Sequence, residues 1–149
     1  MGRLTTMVQA ASGGSSVSGP VEAVSMPVSP GELIDKITIL EIKKERIVDA
    51  DKRSNVMREL ALLYQVRDAA IAPSARLDEF TERLKAINGK LWDIENEIRR
   101  RERENDFGRG FIMLARAIYH NNDERAEFKR RINTLLGAGL TEEKFYVSY

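Results

Sequence analysis

Four side chains in the middle of this chain carry the mixture that polar ligand sites use: the ammonium of Lys44, the amide of Asn88, the indole of Trp92 and the carboxylate of Glu95. Asn88, Trp92 and Glu95 follow at steps of four and three, so a helix carries them along one flank. An up-down-up path of three helices places Lys44 near the level of Asn88, and the four then form a candidate ligand-binding site between helices. No residue is assigned a catalytic role. The competing reading is packing: Trp92 fills the bundle flank with its N–H on Asn88 or a carbonyl, and Lys44 pairs with Glu95 or Glu41 at the rim.

Other chemistry is thinly represented. The chain has no cysteine and one histidine, His120, so thiolate metal sites, paired Glu-x-x-His motifs and His-Glu-x-x-His zinc sites are all excluded, and neither a metal nor a cofactor is expected. His120 stands beside two asparagines, which reads as a helix end or a surface position. The glycine pairs Gly108/Gly110 and Gly137/Gly139 follow no strand and lead to no nucleotide loop, so they read as turns. Arg99 to Arg103 and Lys129-Arg130-Arg131 form basic clusters, but Glu102, Glu104, Glu124 and Glu127 interleave them, which argues against nucleic acid as a partner. Lys44 and Arg67 fall on the apolar stripes of their helices and together suggest an anion pocket of the kind all-helical chorismate mutases use. Their levels differ by about 15 Å along the axis, so one small ligand cannot span them.

The elements that must position these groups are helical. Leu77, Phe80, Leu84, Ile87, Leu91, Ile94 and Ile98 recur at alternating steps of three and four, the heptad spacing of a coiled-coil seam over residues 77–104. Ile87 and Leu91 keep that phase across Asn88-Gly89, which predicts one continuous third helix. Ser29-Pro30-Gly31-Glu32 starts the first helix, with serine as N-cap, proline at the first position and glutamate closing a capping box. That helix is apolar on two sides, which predicts that it is sandwiched. A second helix covers about 54–71 and ends before Pro73. A fourth covers about 110–119, and Asn121-Asn122-Asp123-Glu124 reads as a stop followed by the cap of a fifth helix that ends at Gly137.

The expected architecture is therefore an all-α antiparallel bundle of about five helices with a long central third helix. With 149 residues and 42 % hydrophobic residues the chain suits a single domain, taken as residues 21–149, behind a disordered tail over residues 1–20 rich in Ser, Gly and Ala. The net charge of +1 draws neither nucleic acid nor membrane, and no apolar run is long enough for a membrane span, so a cytoplasmic protein without membrane contact is expected. The third helix outruns its neighbours, and its surplus seam points to a homo-oligomer or a protein partner. The leading expectation is a non-enzymatic protein–protein interaction or scaffold module. A small-molecule-binding bundle or enzyme with polar groups between helices is the second, and an RNA-binding accessory protein the third.

The segment from Ser29 to Lys43, together with Asn88 to Trp92, Phe111-Ile112, Leu114-Ala115-Arg116, Asn122-Asp123 and Glu142-Glu143-Lys144, resembles in the same order a bacterial and phage family of small helical proteins, the domain of unknown function DUF6165. The resemblance covers about Val24 to Tyr149. It implies a helical, cytoplasmic, bacterial protein and carries over no catalytic residue.

Overall fold

The computed structural model describes residues 23–140 and 142–149; the tail expected over residues 1–20 lies outside them. Four helices follow in order: α1 Pro30–Arg46, α2 Ala50–Ala70, α3 Ala75–Arg103 and α4 Arg109–Leu135. There is no strand among the described residues.

Each of the first three helices begins on a side-chain cap. Ser29 accepts the Glu32 N–H at 3.2 Å, Asp49 the Lys52 N–H at 2.9 Å and Ser74 the Leu77 N–H at 3.2 Å, each relieving one of the donors a helix start leaves unpaired. Pro30 occupies the first turn of α1 as expected, but the Glu32 carboxylate does not return to the cap; it reaches Lys129 on α4 at 2.6 Å. α3 and α4 both end in left-handed residues, Asn105 at φ 54 and Gly137 at φ 61. The N–H groups of Asp106 and Ala138 turn back to the carbonyls of Arg101 and Asn133, closing both helix ends.

α3 and α4 form a long antiparallel hairpin. Phe80 meets Phe128 edge-on at 6.1 Å near one end, and Arg101 lies over Gly110 at the other. α1 lies against α2, α3 and α4, while α2 packs on α1. The helix that all others touch is thus α1, not the longer α3, which accounts for the two-sided apolar pattern of α1. Leu33, Ile34, Ile37 and Leu40 meet Leu60, Leu77, Phe80, Leu84 and Ile132 in one core, and Ile42 is buried as well.

Among the described residues the count of five helices is corrected to four. The asparagine pair at 121–122 lies inside α4, because Phe111, Leu114, Ile118, Asn121, Arg125, Phe128 and Ile132 keep steps of three and four throughout. Asn121 turns its side chain onto the Ala117 carbonyl at 2.7 Å, a bond made within a continuing helix. The seam that holds α4 against its neighbours overrides the capping preference of the local sequence.

α3 runs unbroken through Asn88-Gly89 for 29 residues, about 44 Å, whereas α1 has 17 residues, about 26 Å. Arg46, in the last turn of α1, pairs with Asp93. Beyond that level the hairpin continues with neither α1 nor α2 over it. No described helix is long and apolar enough to cross a membrane.

Candidate functional site

A buried carboxylate on the central helix organises the polar interior. Asp35 is 1 % exposed among isoleucines of α1, and a charge there must be met in full. Arg125 of α4 meets it with two bonds, Nε to Oδ1 at 2.9 Å and Nη2 to Oδ2. Asn88 of α3 donates to the same Oδ1 at 2.8 Å and to Thr38 Oγ1 at 3.0 Å, and the Thr38 hydroxyl donates to the Asp35 carbonyl at 2.8 Å. One carboxylate thereby ties three helices, and no buried side-chain nitrogen or oxygen lacks a partner among the described residues. The hydrogen bond to Asp35 raises the proton affinity of Arg125 against the opposing effect of burial.

One turn further along α4, Lys129 is buried beneath two carboxylates, Glu32 of α1 at 2.6 Å and Glu142 of the C-terminal segment. Burial alone would lower its pKa; the bonds from Glu142 and Glu32 outweigh that, and the net shift is upward. The adjacent Asn133 amide oxygen accepts the Gly31 N–H at 2.7 Å, so α4 also caps α1. The helices approach closely here: a Cβ on Gly31 would stand 2.5 Å from the Lys129 carbonyl.

Arg125 and Lys129 open on a cleft of about 1090 Å³ between α4 and the C-terminal segment. That segment, residues 142–149, has neither helix nor strand. Lys144 holds it to the Asn122 carbonyl at 3.1 Å and to Asp123 at 3.5 Å, and the Tyr149 hydroxyl donates to Asp123 at 2.5 Å. The Tyr149 hydrogen bond, then the Lys144 charge, keeps the Asp123 carboxyl below its ordinary range, and the same bond raises the Tyr149 hydroxyl. The Tyr149 ring packs 4.8 Å from Tyr119 and 4.7 Å from His120; His120 is at the surface, as one of the two readings had it, but within α4 rather than at a helix end.

The four residues expected to form a ligand site are placed as follows. Asn88 is buried, but its amide turns to Asp35 and Thr38. Trp92 is half-buried with the Arg46 guanidinium 6.0 Å from its ring centre, and Glu95 pairs with Arg99 at 3.3 Å. Lys44 is exposed in the last turn of α1, where a cation complements the negative end of the helix. None of the hydrogen bonds or ion pairs among the described residues joins two of the four. Arg67, the other cation expected to face inward, stacks on Tyr64 at 4.5 Å and pairs with Asp68.

Sequence reasoning missed Asp35, Arg125, Lys129 and Glu142. The signal for Arg125 is the unbroken phase of α4, which sets it in the seam between Ile118 and Phe128. Asp35 announces itself by sitting between Ile34 and Ile37 on a helix apolar on two sides.

Fold and interior together define an all-helical protein built on a central first helix and a buried polar clasp. The model of DUF6165, described as a family of unknown function, matches residues 24–148, and the chain belongs to that family. No curated protein and no solved structure matches it.

Proposed function

We propose that the chain is a non-enzymatic interaction module that pairs with a second copy of itself through the outer half of the α3/α4 hairpin. The observation that carries this reading is the length mismatch: α3 continues from Ile94 to Arg103 past the end of α1. Ile94, Ile98, Phe111, Leu114 and Ile118 are there only half-buried, and Phe107, Ile112 and Met113 are 51 %, 56 % and 60 % exposed. A two-helix hairpin is half of a four-helix bundle, and a second hairpin supplies the apolar surface that completes it.

Charge does not oppose a like partner. Residues 94–122 carry six arginines (99, 100, 101, 103, 109 and 116) and five carboxylates (Glu95, Glu97, Glu102, Glu104 and Asp106), a net of +1 too small to repel a copy strongly or to draw a polyanion. Arg99, Arg100 and Arg101 already bond carboxylates of their own helix, so a nucleic-acid backbone would have to displace these. A bacterial, cytoplasmic setting belongs to the same proposal and is supported by the family resemblance and by a cysteine-free chain.

Light scattering coupled to gel filtration is expected to give about twice the 16.9 kDa of one chain. Met113→Glu should give the monomer mass at unchanged helix content. A single-chain mass at every concentration defeats the proposal.

A further inference from the structure

We propose that the cleft between α4 and the C-terminal segment binds a small ring-bearing carboxylic acid, whose carboxylate takes the place of Glu142 on Lys129 and adds bonds to Arg125. The site is centred on Arg125 and Lys129, and its lining reaches Ile118, Tyr119 and Asn122 at the edge of the outer half of the hairpin.

Donor capacity is the first argument. A guanidinium offers five N–H donors and an ammonium three. Arg125 directs Nε and Nη2 to Asp35, and Lys129 bonds Glu32 and Glu142, so both reach the cleft with donors left over. Asp35 also locks the guanidinium plane from behind, so its outward edge is oriented before any ligand arrives.

The second argument is that a carboxylate already reaches this place. Glu142 comes from a segment without regular structure, and its side chain is 47 % exposed while that of Lys129 is 8 % exposed. It is a tethered carboxylate on a buried ammonium, and swinging it into water uncovers little packed surface. The rest of the segment keeps its hold through Lys144 on Asn122 and Tyr149 on Asp123, so the wall of the cleft stays when Glu142 leaves. Tyr119, Tyr146 and Tyr149 line the same cleft and make part of its wall aromatic, which suits an apolar ring.

Charge decides between oxyanions. Three cations, Arg125, Lys129 and Lys144, face four carboxylates, Asp35, Glu32, Asp123 and Glu142. Exchanging one carboxylate for another keeps that balance, whereas a phosphate dianion adds a charge to a region already one negative charge in excess. Because Glu142 competes for Lys129, the apparent affinity is the intrinsic one reduced by the fraction of molecules in which Glu142 is displaced.

The test uses the full chain and phenylacetate as the probe, titrated by calorimetry in parallel with phenyl phosphate and benzyl alcohol. Phenylacetate should bind in the millimolar range or better, phenyl phosphate more weakly and benzyl alcohol not at all. Glu142→Gln, an exposed change whose folding is checked by its melting curve, should tighten phenylacetate by about threefold or more. Tyr149→Ala should weaken it. Equal affinity in the parent and Glu142→Gln, no heat with phenylacetate in either, or tighter binding of phenyl phosphate would each overturn the proposal.

Discussion

Asp35 shows how one side chain can set the arrangement of three helices. It is a full charge in an apolar setting, and its bonds to Arg125 and Asn88 stand in for the water it has lost. Removing it strands a guanidinium and leaves the Asn88 amide with Thr38 alone. Asp35→Ala is therefore expected to cost about 3–5 kcal/mol of unfolding free energy in urea denaturation. Asn88→Ala takes away a neutral amide that donates two bonds and should cost about 1–3 kcal/mol. Changing both should cost less than the sum, since the two share an oxygen. A loss under about 1 kcal/mol for Asp35→Ala would show that the clasp does not hold the helices together. These residues were only partly legible in the sequence. Asn88 stood out as polar on the flank of a heptad seam, and it is buried. That Asp35 rather than Lys44 lies against it depends on how α1 is rotated, and a helix apolar on two sides leaves that rotation undetermined.

At the scale of elements, phase was the informative signal wherever it was followed. Ile87 and Leu91 keep step across Asn88-Gly89, and α3 is continuous there. Ile118, Asn121, Arg125 and Phe128 keep step across the asparagine pair in the same way, yet two of those positions are polar, so a seam searched only for apolar residues loses its track. The seam admits them because Arg125 finds Asp35 across the helix interface and Asn121 bonds its own backbone. Glycines within helices test the packing directly. Gly89 has room, since a Cβ would lie in ordinary contact, 3.7 Å from Arg46 Nη2. Gly89→Ala should raise stability by about 0.5–1 kcal/mol by relieving the entropy of a glycine inside a helix. Gly31→Ala should lower it by about 1–3 kcal/mol, because backbone rather than a flexible side chain blocks the added methyl. Thermal melts of the two variants check this pair. A stabilising shift for Gly31→Ala would mean that α1 and α4 are not packed as closely as described, and a destabilising one for Gly89→Ala that the space beside it is not free.

Across the whole molecule, burial is uneven along the hairpin, and stability should follow it. From Leu77 to Leu91 the seam of α3 faces α1 as well as α4, and Leu84 is 0 % exposed. From Ile94 to Arg103 the seam faces α4 alone, and its isoleucines are half-buried. Local opening costs roughly what the opened segment buries, so amides in the inner half should exchange only through global unfolding and those in the outer half through fraying of the tip. In the monomer that Met113→Glu is expected to give, hydrogen exchange should be slowest near Leu84 and Ile87 and faster by about two orders of magnitude or more from Ile98 to Arg103. In the parent at high concentration the outer amides should slow as pairing covers them, and they should speed up on dilution. The inner amides should not change, because their protection comes from α1. Exchange that is uniform along α3 would mean that the hairpin is one cooperative unit without help from a partner. The length mismatch would then mark no interface.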